Sequence, residues 1–354
     1  MSVSITVYDG AGVIGGNKIL LEAGGTALWL DFGASFARRS AYFEEYLSPR
    51  SNQGLKDLLA MGLLPPLAGV YRRDLEPPGL DLRADWAGSP LYREVDAAGV
   101  LLTHAHLDHS GYISFLDPSI PIHSSLLTAV IARSIQDTAA NDLECEVAYV
   151  IPREEKFGLL TASNYRTAPS RGRPFRIADT GFIPASVQTF WSSSASSREL
   201  EGATLTSMSC GAVGGLRVRF YPVDHSIPGA GAFAIETPEG WVVYTGDLRL
   251  HGQKGNLSRQ FIEEAARLEP LALICEGTHP EVPWPSTEAA VYENAKMAVE
   301  WSRGLVIADF GPRNVERLIT FRRIAGETGR RLAVTPRDAY LLEAMSLADP
   351  GIPN

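Results

Sequence analysis

The chain has 354 residues, 45% of them hydrophobic and 21% charged, which is typical of a globular protein with one large domain and part or all of a second. Its 32 lysines and arginines against 41 aspartates and glutamates give a net charge of -9, so the surface as a whole does not attract nucleic acid or anionic membranes. The three cysteines are too few and too widely spaced for a disulfide framework or a cysteine zinc site, and no stretch approaches the roughly 18 apolar residues of a membrane span. We therefore expect a cytoplasmic protein without membrane contact.

Short apolar runs bounded by glycine or charged residues predict a layered sheet protein. The runs SITVYDG, NKILLEAGG and TALWLDFG predict an antiparallel meander whose last strand ends at Asp31. The stretch from about 36 to 96 mixes proline pairs, charges and one short helical pattern, and it predicts an insertion over the sheet. Further strand patterns then alternate with helical ones as far as LALICEGTH, and TFWSSSASSR between them reads as a polar loop.

The pattern changes after about residue 284. Helices are predicted over 287–301 and 315–328, and strands over LVIADF (305–310) and RLAVT (331–335). This alternation is typical of parallel βαβ units. We therefore predict one domain at 1–283 and the start of a second, parallel α/β domain at 284–354.

The stretch LLTHAHLDHSGY, residues 101–112, carries a dense group of metal-binding side chains directly after an apolar run. His104 and His106 leave the predicted strand two residues apart and can bind one ion, while Asp108 and His109 can face a second. Capping of the following helix by Asp108 is the structural alternative, but it explains only one of these four residues. The pattern therefore predicts a metal site.

Two later strand ends supply candidates for further ligands. YPVDHSIPGAGAFAIE places His225 at the end of an alternating strand, and WVVYTGDLRLHG ends a strand at Asp247. Either residue alone could be an ordinary turn residue. Their order after the first motif favours metal binding by both.

Together these motifs resemble those of the metallo-β-lactamase fold hydrolases, in which an αββα sandwich carries metals at loop ends along one edge. The resemblance implies two zinc ions and a shared ligand: one ion takes His104, His106 and His225, the other takes Asp108 and His109, and Asp247 bridges them. It also implies that Asp31 orients the ligand loop from behind. Two divalent ions about 3.5 to 4 Å apart suit the hydrolysis of phosphodiesters.

Four stretches are similar to the β-CASP nucleases, and to their ribonuclease J-like members in particular. Glu276 opens an EGT motif that resembles the acidic motif of that group, although a carboxylate at a strand end is the simpler alternative. GAGVIGGNKILLE and VDHSIPGA resemble the ribonuclease J forms of two other motifs, and 305–335 resembles the beginning of a β-CASP domain. The resemblance implies an exo- or endonuclease of RNA processing or decay that acts on single-stranded RNA, with DNA as a second candidate substrate. Asp108 and Glu276 would be catalytic.

One departure from this resemblance concerns the second zinc ion. No histidine follows His279, so the two later histidine motifs of the β-CASP group are not in this sequence. In the family one of them completes the second zinc site and the other pairs with the position of Glu276. We therefore expect the first zinc site to be complete and the second to lack a ligand. Whether the chain is a fragment or a natural short form stays open, as does a homo-oligomer.

Two other functions fit the same motifs. A hydrolase of small substrates, such as a lactonase, thioesterase or β-lactam hydrolase, uses the same histidine pattern, but the EGT motif and the βαβ extension count against it. An inactive partner subunit in an RNA-processing complex is the other alternative. Outside the site, we expect His123 to be structural and His251 to be solvated. The basic residues near the polar loop could bind backbone phosphates, but a solvated surface is favoured for them. They are Arg153, Arg171, Arg173 and Arg176.

Overall fold

A computed structural model describes residues 2–44, 47–139, 143–208, 211–278, 287–311 and 313–353. Within these ranges the strands are, in chain order, β1 (Ser4–Asp9), β2 (Lys18–Ala23), β3 (Thr26–Phe32), β4 (Leu67–Ala68), β5 (Arg93–Glu94), β6 (Ala97–Leu101), β7 (Ile122–Ser124), β8 (Tyr149–Val150), β9 (Arg153–Lys156), β10 (Leu159–Ala162), β11 (Ser170–Gly172), β12 (Phe175–Ile177), β13 (Leu200–Glu201), β14 (Leu205–Ser207), β15 (Ala212–Val213), β16 (Leu216–Pro222), β17 (Gly231–Thr237), β18 (Gly240–Tyr244) and β19 (Ala272–Ile274). The α-helices are α1 (Phe36–Arg39), α2 (Lys56–Ala60), α3 (Leu82–Trp86), α4 (Leu107–Ser110), α5 (Leu126–Thr138), α6 (Ala185–Ser192), α7 (Gly255–Ala266), α8 (Glu288–Trp301), α9 (Val315–Glu327) and α10 (Pro336–Ala348).

The larger sheet is built on the predicted N-terminal meander, which the structure confirms. Its strand order is β1-β2-β3-β6-β7-β12-β14. The first three strands are antiparallel, and every pair from β3 to β14 is parallel. Side chains alternate between the two faces of a strand, so Leu20 and Trp29 join the cluster under the helices, whereas Leu21 and Leu30 join the cluster between the sheets.

The smaller sheet faces the larger one and has the order β15-β16-β17-β18-β19. The predicted hairpin around PEG joins β17 and β18, and only β19 runs parallel to its neighbour. Phe233 and Ile235 of β17 pack with Leu28 and Leu30 of β3 in the core between the sheets. The alternating apolar pattern of these strands thus closes a two-sheet sandwich.

Helices cover both outer faces of this sandwich. Helix α5 packs against β12 of the larger sheet, and α7 packs against β16 of the smaller sheet, where Phe261 contacts Tyr221. The layers therefore run helix, sheet, sheet, helix, which confirms the αββα architecture.

The region 36–96, predicted to be an insertion over the sheet, contributes to the main hydrophobic core. It contains three short helices and the two-stranded pair of β4 and β5. Leu58 and Leu64 are buried in the same cluster as Val130 of α5. The predicted domain boundary at 283/284 lies outside the described residues and stays a prediction.

The C-terminal region agrees with the sequence in its helices and differs in its strands. Helices α8 and α9 occupy their predicted positions. The strands predicted at 305–310 and 331–335 were wrong: the backbone there has no sheet partner, and Leu305 and Ile307 are 87% and 83% exposed. A strand needs a neighbour for its ladder of hydrogen bonds, and the described residues supply none.

Two helices were not anticipated. Helix α10 begins at a capping box in which Thr335 and Asp338 bond each other's backbone, and it packs on α5. Helix α6 occupies part of the stretch predicted as a polar loop. A cavity of about 850 Å³ lies between α5, α9, α10 and the two unpaired stretches. No helix in the described part of the chain is both long and apolar enough to cross a membrane.

Candidate metal centre

The side chains predicted to bind metal meet at one edge of the sandwich, where four elements end. His104 and His106 follow β6, and Asp108 and His109 lie in the short helix α4. The last two candidates come from the other sheet, His225 after β16 and Asp247 after β18.

Three imidazole nitrogens converge on one point. His104 Nε2 lies 3.0 Å from His106 Nδ1, and His225 Nε2 lies 3.2 Å from the same atom. In a tetrahedral zinc site with Zn–N bonds of about 2.0 to 2.1 Å, ligand nitrogens lie roughly 3.3 Å apart. The donor atoms and their spacing therefore fit one zinc ion.

A second group of donors adjoins the first. His109 Nε2 lies 3.3 Å from Asp247 Oδ1 and 3.9 Å from Asp108 Oδ2. The other oxygen of Asp247 lies 3.7 Å from His225 Nε2, so this carboxylate stands between the two groups. Ligand atoms of His104, His109 and Asp247 lie within 4.8 Å of one another. The arrangement fits a carboxylate shared by two neighbouring ions.

Asp31 is a buried carboxylate that fixes the ligand loop, the segment 103–109, on the side away from the metal donors. Its Oδ1 accepts a hydrogen bond from Thr103 N at 2.8 Å, and its Oδ2 accepts from Thr103 Oγ1 at 2.7 Å. The same oxygen contacts His109 Nδ1 and accepts from the Tyr244 hydroxyl, both at 2.7 Å. His109 Nδ1 is thereby held toward Asp31, which leaves Nε2 free to face the other ligands.

The Gly-rich N-terminal hairpin closes on the ligand loop through main-chain contacts. Gly16 N and Asn17 N both donate to Asp108 O, at 2.9 and 3.2 Å. At Gly33 an added Cβ would lie only 1.6 Å from Asp108 O, so no other residue fits at that position without movement of the loop. Gly16 of this hairpin and Gly33 at the end of β3 thus allow the close approach of the two backbones.

The electrostatics of the site favour a cation. Burial, reinforced by neighbouring positive groups, lowers the pKa of His106 to about 3, and burial lowers that of His225 to about 4. The pKa of His104 is also lowered, mainly by burial. Burial acts in the same direction on His109, but Asp31 and Asp247 outweigh it and raise its pKa. Neutral imidazoles are the form that binds zinc, so the first group is ready for metal at neutral pH.

Glu276, predicted to be catalytic, lies beside the loop that carries Asp247. Its Oε1 accepts a hydrogen bond from Leu248 N at 2.7 Å, and its own N–H donates to Thr245 Oγ1 at 3.3 Å. In this structure the Glu276 carboxylate therefore holds the backbone just after Asp247, and the Glu276 main chain bonds Thr245 before it.

Several residues of the site were not identified from the sequence. Tyr244 stands three positions before Asp247 at a strand end, and its hydroxyl also accepts from Asn17 Nδ2 at 3.2 Å. Arg249 pairs with the buried Asp224 at 3.2 Å and also with Glu316 of α9. This ion-pair network connects helix α9 to the loops that carry His225 and Asp247. No local sequence motif predicts it.

The remaining candidates lie away from the metal donors. His123 is buried in β7, as expected of a structural residue, and His251 is exposed. His279 and Cys210 lie outside the described residues. The solvated position favoured for Arg173 was wrong, because its guanidinium is buried and bonds four backbone carbonyls. Arg153 pairs with Glu146, whereas Arg171 and Arg176 are exposed, as the favoured solvated surface requires.

Comparison with known proteins gives partial relatives. The chain is 29% identical to ribonuclease J of Mycoplasma pneumoniae over 121 residues, which are 33% of this chain and 21% of that protein. It is 30% identical to ribonuclease J 1 of Streptococcus pyogenes serotype M3 over 129 residues, 34% of this chain and 22% of the relative. The matches thus span about a fifth of the length of these curated relatives. No family model matches the sequence.

One solved structure resembles the whole chain. A protein of unknown function from Enterococcus faecalis V583 superposes with a TM-score of 0.59 at 21% identity, covering 99% of this chain and 68% of that one. This likeness concerns the fold alone.

Proposed function

We propose that this chain, which is similar to ribonuclease J proteins over about a fifth of their length, is a zinc-dependent phosphodiester hydrolase of the metallo-β-lactamase fold that cleaves single-stranded RNA. The observation that carries the proposal is the convergence of His104, His106 and His225 beside a second donor group that shares Asp247. The ribonuclease J relatives favour RNA over other substrates of this fold.

The residues divide into two sets of ligands. His104, His106 and His225 would hold one zinc ion, while Asp108 and His109 would hold a second, with Asp247 between them. When bound, such ions supply Lewis-acid chemistry that lowers the pKa of an attacking water and neutralises phosphate charge. The second set is smaller, so we propose that it binds its ion more weakly than the first.

The chain's own groups orient the ions and handle the proton. Asp31 fixes His109 and Thr103 on the side away from the ligands. Burial raises the pKa of Asp108, which brings this carboxylate closer to the range in which it can take up a proton from the attacking water. Glu276 would act indirectly, because it accepts a hydrogen bond from Leu248 N and thereby positions the backbone next to Asp247.

The test combines metal analysis with RNA cleavage. Purified protein should contain between one and two zinc ions per chain by elemental analysis and should cleave a 5′-labelled single-stranded RNA. The variant His106→Ala should lose the firmly bound ion and lower cleavage by about 10³-fold or more, because the metal supplies most of the activation. The matched control is His251→Ala, which removes an exposed histidine outside the donor groups.

Three results would contradict the proposal. The first is an absence of zinc in the purified protein. The second is undiminished RNA cleavage by His106→Ala, which would place the activity elsewhere or in a partner subunit. The third is faster turnover of lactone, thioester or β-lactam substrates than of RNA, which would assign the same site to small molecules.

A further inference from the structure

The guanidinium of Arg313 reaches the metal loop from the C-terminal region. Its Nη1 lies 3.5 Å from the carbonyl oxygen of Ala105, the residue between the ligands His104 and His106. Burial lowers the pKa of this guanidinium, and Asp108 is the principal group that opposes the effect. A half-buried positive charge thus lies beside the metal donors.

Arg313 is half-buried, and its bonding differs from that of the buried arginines. Arg72 pairs with Asp74 and Glu146 at 2.8 and 2.7 Å, and Arg173 donates to four carbonyls at 2.6 to 3.1 Å. Arg313 makes one long contact, and no carboxylate in the described ranges pairs with it within 4.0 Å. A guanidinium carries five N–H donors, so within the described ranges this one retains donors without a partner beside the site.

The backbone that carries Arg313 is firmly anchored. Asn314 caps helix α9 by accepting from Arg317 N at 3.0 Å, and Glu316 pairs with Arg249. Arg317 in turn pairs with Glu288 of α8 at 3.0 Å. The free donors of Arg313 are therefore held next to the ligand loop by helix α9 and its ion pairs.

We propose that Arg313 binds the non-bridging oxygens of the phosphate group that occupies the metal centre. The inference rests on the proposed function and extends it by naming a substrate-binding residue outside the metal motifs. Asp108, the principal group that opposes the effect of burial on Arg313, would be engaged by zinc, which leaves the guanidinium to pair with an anion. Planar guanidinium donors match two phosphate oxygens at once, and they stabilise charge that develops on phosphorus-bound oxygens.

Phosphate binding gives a test that does not depend on RNA cleavage. Zinc-loaded wild-type protein, Arg313→Ala, Arg313→Lys and Arg331→Ala are titrated with inorganic phosphate by calorimetry. We expect Arg313→Ala to weaken binding by about tenfold or more, because a charge-assisted hydrogen bond is lost. Arg313→Lys should retain part of the affinity. Arg331→Ala removes an exposed arginine that lines the same cavity as Arg313, between α5, α9 and α10. This variant should bind phosphate as the wild type does.

Zinc content and the thermal midpoint are measured for each variant, and both should match the wild type. If Arg313→Ala fails to fold, Arg313→Lys carries the comparison. Unchanged phosphate affinity in the variants, or no phosphate binding by the zinc-loaded wild type, would overturn the inference. The two proposals fail separately. If the protein cleaves RNA but its phosphate affinity is the same without Arg313, only the role of Arg313 is refuted. If phosphate binding depends on Arg313 but RNA is not cleaved, only the proposed nuclease function is refuted.

Discussion

Asp31→Asn tests the buried carboxylate behind the ligand loop. Asp31 has a φ of +56°, a conformation that asparagine tolerates better than most residues, so the variant keeps the backbone and the side-chain shape. It replaces one carboxylate oxygen by an amide that donates hydrogen bonds. Thr103, His109 and Tyr244 all present donors to this side chain, and at least one of them would then face another donor.

The expected loss of stability follows from these contacts. The Asp31 side chain is fully buried, so water cannot replace a lost bond. A hydrogen bond to a charged group contributes about 1.5 to 3 kcal/mol, and a buried donor left without a partner costs about 1 to 3 kcal/mol. Because such losses are not additive within one network, we expect the free energy of unfolding to fall by about 2 to 4 kcal/mol. Tyr244→Phe removes a single donor and should cost about 1 kcal/mol.

The assay is equilibrium unfolding in urea with a chelator present, followed by circular dichroism, so that metal binding does not contribute. The matched control is Asp309→Asn at an exposed position. In a second measurement, zinc affinity of Asp31→Asn should fall about 10- to 100-fold, as expected for a residue that orients a ligand. A variant with the unfolding free energy and the zinc affinity of the wild type would refute the reasoning.

Three further predictions concern pH, Glu276 and the ion-pair network. In metal-free protein, His106 and His225 have pKa values of about 3 and about 4, whereas a histidine in the unfolded chain has a pKa of about 6.5. The free energy of unfolding should therefore fall as the pH drops from 6.5 toward 4, by up to about 1.4 kcal/mol per pH unit for each of the two histidines. The pKa of His109 is raised, so its contribution to stability has the opposite pH dependence and is lost as the pH rises above 6.5. The urea midpoint should therefore be highest near pH 6.5 when it is measured between pH 4 and 8. A midpoint that rises steadily over this range would contradict these pKa shifts. Glu276→Gln keeps an oxygen that accepts the hydrogen bond from Leu248 N, so zinc content and RNA cleavage should change little. If cleavage instead fell by about 10²- to 10⁴-fold while zinc was retained, Glu276 would be a proton donor. Arg249→Met leaves a buried carboxylate unpaired and should lower the free energy of unfolding by about 3 to 5 kcal/mol in urea titrations, whereas a change below about 1 kcal/mol would show that the pair contributes little.

The strands and the metal-binding candidates could be predicted because their signals are local. Apolar alternation bounded by glycine marks β1 to β3, and His104, His225 and Asp247 each stand three residues beyond a strand end. The resemblance to the metallo-β-lactamase fold hydrolases then implied that His104, His225 and Asp247 meet at one edge of the sandwich.

The supporting contacts could not be predicted because they join distant parts of the chain. Asp31 and Tyr244 are 213 positions apart, and Arg313 and Ala105 are 208 apart. Neither pair belongs to a spaced motif. For the same reason LVIADF was misassigned: its β-branched pattern favours a strand, but strand formation depends on a neighbour that the pattern does not report.

The close approach of Gly33 to the carbonyl of Asp108 bears on how the proposed site would take up a metal. The ligand loop is seated against the end of β3 by main-chain packing and by the hydrogen bonds of Asp31, and none of these contacts requires an ion. The site is thus preorganised, unlike zinc fingers, in which metal binding and folding are one event. Metal uptake should therefore need little rearrangement of the protein, and zinc removed by a chelator should return without a refolding step.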